Sequence, residues 1–146
     1  MAKAARAIIF QDDKLLIMRR HKEGNEYFTL VGGRINDGES PEEAVIREVK
    51  EETGLEVTST RLVFIEEHPE PYNEQYIFLC AAKEDKDIAV QDNSEEAFMN
   101  RLDFNTHEPL WMYAGSFPNL AFRTPQLQKV ISECLKTGFP DTPRKI

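Results

Sequence analysis

The sequence predicts an α/β protein, a mixed sheet with helices on both faces. Three observations carry the prediction. Short runs rich in Ile and Leu, bounded by turn residues, read as strands. Two helices, far apart in the chain, are marked by capping residues and by helical spacing of their apolar side chains. No repeat, low-complexity linker or composition break divides the 146 residues, so one domain over 1–146 is expected, with a loose tail at 139–146. Strands interrupted by two separated helices bury both helices against one sheet, one on each side.

The elements follow in order. Arg6 to Phe10 and Leu15 to Met18 are strands, with Gln11-Asp12-Asp13-Lys14 as the turn of a hairpin. Tyr27 to Val31 is a third strand, ended by Gly32-Gly33. Ser40, Pro41 and Glu43 then form a capping box with proline at the first helical position. The helix runs from Pro41 to Thr53, and Gly54 stands where a C-terminal glycine belongs. Leu55 to Ile65 is extended. Gln75 to Ala82 is the next strand, and its apolar run from Tyr76 suggests burial on both faces. Residues 83–108 are polar and acidic, and read as a long loop with one short element. Leu110 to Tyr113 reads as an edge strand. Thr124-Pro125 opens the second helix, whose Leu127, Val130, Ile131, Cys134 and Leu135 make a core-facing stripe before Gly138 stops it.

Lys plus Arg number 18 and Asp plus Glu 26, a formal charge of −8. That balance disfavours duplex nucleic acid and anionic membrane as partners, since both call for a basic face. Cys80 and Cys134 sit in apolar runs and are expected as buried free thiols. No stretch reaches the roughly 20 apolar residues of a membrane span. The N-terminal run from Ala7 to Phe10 is broken by Asp12, Asp13 and Lys14, too soon for a signal-peptide core. A cytoplasmic protein is the expectation.

At about 100° per residue, the first helix places Val45, Ile46, Val49 and Thr53 on its core face. Glu48, Glu51 and Glu52 fall together on another arc. Like charges at that spacing repel, and Arg47 and Lys50 relieve only part of it. A solvated charged face is the ordinary fate of such a run. The context points elsewhere: Gly32-Gly33 permits close backbone approach, and Glu39 precedes the capped helix start. Oxygen donors without Cys or His suit a hard cation, with magnesium the natural candidate and manganese or calcium as alternatives. Magnesium shares its shell with phosphate oxygens, which directs attention to pyrophosphate chemistry.

From Gly33 to Leu55 the chain reads glycine, five residues, glutamate, seven residues, then Arg-Glu-Val-Lys-Glu-Glu-Thr-Gly-Leu. This resembles the complete box of the Nudix hydrolase family, with Gly33, Glu39, Arg47, Glu48, Glu51, Glu52 and Gly54 at the fixed positions. The resemblance implies the Nudix-type α/β/α sandwich and a magnesium-dependent pyrophosphohydrolase acting on a nucleoside diphosphate linked to another group. It makes Glu48, Glu51, Glu52 and the carbonyl of Gly32 metal ligands, and Arg47 the residue that holds the cluster. Gly33, Glu39 and Gly54 become structural. The catalytic base is Glu48 or a distal acid beyond the box. Glu95, Glu96, Asp103 and Glu108 are candidates, and Glu108 is preferred because it lies three residues before Trp111. One departure is Val31, where the family commonly has proline.

For the substrate, Arg20 is expected at the phosphates, with Arg19 beside it, and Tyr72 at the base. Pro69 and Pro71 match another branch of the family loosely, and a proline-bounded turn explains the segment His68 to Tyr72 equally well. Phe28, Phe117 and Phe122 read as core, and His21, His68 and His107 as surface or loop residues. A nucleoside triphosphate, normal or oxidised, leads as substrate. A dinucleoside polyphosphate, ADP-ribose, or a non-catalytic nucleotide-binding role are the alternatives. A homodimer, common in the family, stays open. Residues 34–56 hold eight acids and three bases, so 3 − 8 = −5 of the net charge lies in one loop and helix.

Overall fold

Period-two alternation along the first two strands divides the core. Ile8, Leu15 and Ile17 belong to one buried cluster, and Ala5, Ala7, Ile9, Leu16 and Met18 to the other. The computed structural model describes residues 2–67, 69, 71–84, 87–91, 94–101 and 105–146, with the side chains of Glu95 and Arg101 outside the description. β1 (Lys3–Gln11) and β2 (Lys14–Lys22) form the expected hairpin, with Asp12 in left-handed conformation at φ 56°. The sheet order is β3 (Asn25–Thr29), β2, β1, β6 (Glu74–Ala82), β5 (Val57–Glu67) and β8 (Arg144–Lys145), with β4 (Val31–Arg34) on β1 and β7 (Asn105–Tyr113) on β2. β1 pairs with β6 in parallel and the hairpins are antiparallel, so the sheet is mixed as expected.

α1 (Pro41–Thr53) has the capping box and a left-handed Gly54 at its end. Its Ala44, Val45 and Val49 pack against Ala5, Ile9 and Phe78 on one face of the sheet. α3 (Pro125–Thr137), capped by Thr124, sets Leu127, Val130, Ile131 and Cys134 against Ile8, Phe64 and Ile77 on the other. The 3-10 turn Ala114–Asn119 delivers Phe117 to that second cluster, edge-on to Phe122. Both thiols are buried and free, and burial pushes the Cys80 thiol up to about 12. Among the described residues no helix is long and apolar enough to cross a membrane.

The structure departs from the sequence reading at four places. The single strand expected from Tyr27 to Val31 is two: β3 (Asn25–Thr29) pairs with β2, and β4 (Val31–Arg34) pairs with β1. Gly32 and Gly33 therefore lie inside a strand. Gly32, at φ 148°, faces β1 so closely that a Cβ would collide with the carbonyl of Ala5. Ile46, assigned to the core face of α1, is 43% exposed, and Ala44 is buried instead. β7 (Asn105–Tyr113) is longer than expected because it pairs along the whole of β2. The tail is tied down: β8 (Arg144–Lys145) pairs with β5 (Val57–Glu67), and Phe139 contacts Phe10 and Phe64.

Candidate active site

The carboxylates of α1 are not a solvated face. Glu48 and Glu52 are only 6% and 2% exposed. Their side of the helix lies over β4, where Gly33 leaves room for a carboxylate. A Cβ at Gly33 would stand 2.9 Å from Glu48 Oε1. One oxygen each from Glu48, Glu52 and Glu96 lies within 4.8 Å of the others. Glu96 comes from α2 (Glu95–Arg101), which is capped by the Ser94 hydroxyl. The side chain of Asn100 fastens this short helix to β7, donating to the carbonyl of His107 at 2.9 Å and accepting from its N–H at 2.5 Å. Upstream, the N–H groups of Ala89 and Gln91 donate to the carbonyls of Thr53 and Glu51. The two acidic elements are thus held together by backbone as well as by packing.

Arg47 braces the cluster. Its Nε and Nη2 donate to the two oxygens of Glu39 at 2.7 and 3.0 Å. Nη1 donates to Glu48 Oε1 at 3.0 Å and Glu51 Oε2 at 3.2 Å, and Nη2 also to the carbonyl of Arg34 at 3.0 Å. Hydrogen bonding to Arg47 holds the Glu39 carboxyl below the usual carboxylate range. Glu51, half-buried, is pushed the other way, chiefly by burial. Glu52 is pushed well above the ordinary range, first by burial and then by the neighbouring Glu48 carboxylate, with the charge of Glu96 adding to it.

The cluster opens on a cavity of about 520 Å³. Gly32, Arg47, Glu48, Glu51, Glu52, Arg20 and Tyr72 all line it, as does Gly33. Glu39 acts behind it through Arg47, and Gly54 only ends the helix. The carbonyl of Gly32 accepts from Arg6 Nη1 at 3.3 Å, so a guanidinium engages it here. Glu108, expected as the distal acid, does not line the cavity. Side chains alternate along β7: Asn105 and His107 line the cavity, whereas Glu108 is in register with Arg19 and pairs with it at 3.2 Å on the exposed side. Among the described residues the distal acid in the cavity is Glu96. The side chain of Glu95, and Asp103, His68 and Glu70, lie outside the described residues.

The sequence reading missed Arg6, Asn105 and His107, all of which line the cavity. Arg6 carried a signal: an arginine within an apolar strand must find partners. It donates to Gln75 Oε1 at 2.7 Å and to the carbonyl of Leu30 at 3.0 Å. His107, expected as a surface or loop residue, is half-buried within β7. Burial, with help from Arg20 and Arg6, pulls its pKa down to about 4, so it is neutral at physiological pH.

The donor set fits a hard dication. Glu48 Oε2 is buried with no hydrogen-bond partner, three carboxylates converge, and no His or Cys joins them among the described residues. Gly33→Ala tests the fit: the added methyl displaces the Glu48 carboxylate, and a misplacement of ~1 Å costs on the order of 10²-fold in rate. The expected result is a loss of that order in kcat/KM with far-UV circular dichroism unchanged.

The NUDIX domain family model matches residues 1–119. A candidate 8-oxo-dGTP diphosphatase of Bacillus subtilis is 26% identical over 139 residues, 95% of this chain and 83% of that protein. An ADP-ribose pyrophosphatase of Methanocaldococcus jannaschii is 51% identical over 55 residues, 37% of this chain, and the match spans only 32% of its length. The crystal structure of a NUDIX hydrolase from Nitrosomonas europaea superposes with a TM-score of 0.70 at 18% identity, covering 99% of this chain and 79% of that one, which establishes the shared fold.

Proposed function

This chain belongs to the NUDIX domain family of pyrophosphohydrolases, and from that premise we propose that it hydrolyses a pyrophosphate bond of a nucleotide, with a nucleoside triphosphate, normal or oxidised, as the leading substrate. One observation carries the reading: Glu48, Glu52 and Glu96 converge, with an unpartnered oxygen of Glu48, beside the cationic Arg6 and Arg20 in one cavity. A volume of about 520 Å³ suits a nucleotide. The Bacillus subtilis relative, matched over 95% of this chain, is named for a triphosphate substrate. ADP-ribose is the second reading, because the shorter match to an ADP-ribose pyrophosphatase reaches 51% identity.

Glu48, Glu52 and Glu96 would hold the metal, with Glu51 at the rim of the set. A magnesium or manganese ion bound there would supply charge neutralisation at the phosphoryl oxygens and a lowered pKa for a bound water. Arg47 fixes the rotamer of Glu48. Glu96 or Glu48 accepts the proton of the attacking water. Arg20, with Nη2 bonded to Asn105 Oδ1 at 2.7 Å, faces the phosphate chain. Glu108 has no part in this scheme.

A panel of nucleoside triphosphates, dinucleoside polyphosphates and ADP-ribose, incubated with magnesium and scored by products, tests the proposal. Release of a nucleoside monophosphate with pyrophosphate is the expected result for the triphosphates. No cleavage of any member, with nucleotide binding still detectable, would replace the hydrolase with a nucleotide sensor.

A further inference from the structure

A second cavity of about 280 Å³ adjoins the first and shares Arg6, Arg20, Thr29 and Tyr72 with it. Its described lining holds four cationic side chains, Arg6, Arg20, Lys22 and Arg123, and no carboxylate. In a chain of net charge −8 this is a local reversal of sign. Among the described residues none of the four takes part in a salt bridge. Glu66 stands behind the lining, but both its oxygens are taken, by Gln75 Nε2 at 2.8 Å and by the Thr124 hydroxyl.

The cations are held in place by the fold. Arg20 and Lys22 are two apart on β2 and project to the same side. Tyr27, the register partner of Arg20 on β3, carries the Arg123 guanidinium 3.8 Å and that of Arg20 5.6 Å from its ring centroid. The Arg123 N–H donates to the carbonyl of Phe28 at 2.9 Å, which fastens this segment along β3. Gln75 orients Arg6, whose guanidinium lies 6.0 Å from the Tyr72 ring. Arg20 Nε is buried without a partner. The Arg20 guanidinium is held below its usual range by burial and also by the charge of Arg6. Like charges gathered around a partly desolvated space are unfavourable until an anion enters.

We propose that this second cavity is a phosphate subsite, which takes a phosphate of the substrate beyond the pyrophosphate held at the carboxylate end. The inference rests on the hydrolase reading above and narrows its substrate class. Guanidinium forks match phosphate oxygens in pairs. Two sources share this chemistry: a phosphomonoester on the sugar, or a further phosphate of a longer chain.

The test compares kcat/KM with magnesium for ATP, 3′-phospho-ATP and adenosine 5′-tetraphosphate, in the wild type and in the Lys22→Gln/Arg123→Gln double variant. One extended compound is expected to exceed ATP by about tenfold or more, and the ratio to fall towards one in the variant. Which compound carries the preference identifies the source of the phosphate. Equal values for all three in the wild type, or a ratio unchanged in the variant, overturns the subsite. If no compound is cleaved, the hydrolase reading fails separately. Titration calorimetry of the same compounds in EDTA then decides the subsite, since equal affinities would overturn it and tighter binding lost in the variant would support it. Lys22→Gln alone, at an exposed position, serves if the double variant does not fold.

Discussion

Glu52→Gln is expected to lower magnesium-dependent kcat/KM by about 10³-fold, because losing one carboxylate of a metal site forfeits several kcal/mol of transition-state charge stabilisation at ~1.4 kcal/mol per tenfold. The same change is expected to stabilise the metal-free protein. Glu52 is 2% exposed, and burial and Glu48 raise its pKa well above the unfolded value. The sign follows from linkage. Below about pH 4.3 the carboxyl is protonated in both states and contributes no difference. As pH rises above that, the unfolded chain releases the proton while the native site retains it or carries an ill-solvated charge, so native stability falls. The amide has no proton to lose and escapes this loss. In EDTA, calorimetry should therefore show Tm of the variant minus that of the wild type growing between pH 5 and pH 8. Magnesium should raise the wild-type Tm and leave the variant's almost unmoved, since a ligand stabilises only a fold that binds it. Near-normal turnover in the variant, or a magnesium shift equal to the wild type's, would remove Glu52 from the metal set.

Arg47→Lys separates two roles that the sequence left open. A surface counter-charge would be served equally well by lysine. The structure shows a brace: one planar guanidinium donates to Glu39, Glu48, Glu51 and the Arg34 carbonyl at once. A lysine ammonium has three donors at a single point and cannot span that set. Residues that orient metal ligands typically cost about 10- to 100-fold in metal affinity or activity when replaced, and that loss is expected here. Breaking a buried ion pair costs about 3–5 kcal/mol, but the Arg47 side chain is 26% exposed, so about 2 kcal/mol is the better expectation. For a chain of this size that is a fall in Tm of about 4–8 °C. Wild-type kcat/KM and magnesium affinity in the lysine variant would restore the counter-charge role.

Much of the fold was legible because its signals are local. Ser40, Pro41, Glu43 and Gly54 bound α1 through hydrogen bonds that span no more than four residues, and the structure keeps both ends where they were expected. The strand at Tyr27 was less legible. Its composition marks an extended segment, but the switch of partner at Leu30, from β2 to β1, depends on which neighbour each half meets. The tail was misjudged for a related reason: Arg144 and Lys145 have weak strand propensity, and their pairing is decided by the free edge of β5.

The site divides along the same line. The acidic arc of α1, its capped start and the two glycines before it are encoded within 23 residues, and so the sequence alone locates a candidate cation site and the arginine that braces it. Which distal acid meets that surface depends on contacts between residues far apart in the chain. Glu108 and Glu96 are equivalent as letters in a polar stretch. The alternation of β7 turns Glu108 out to Arg19, and the anchoring of α2 by Asn100 carries Glu96 in. Arg6, Arg20, Lys22 and Arg123 come from three separate segments, and only strand pairing brings their charges together. Local hydrogen bonding and period are properties of the chain, whereas convergence of charge is a property of the packed sheet.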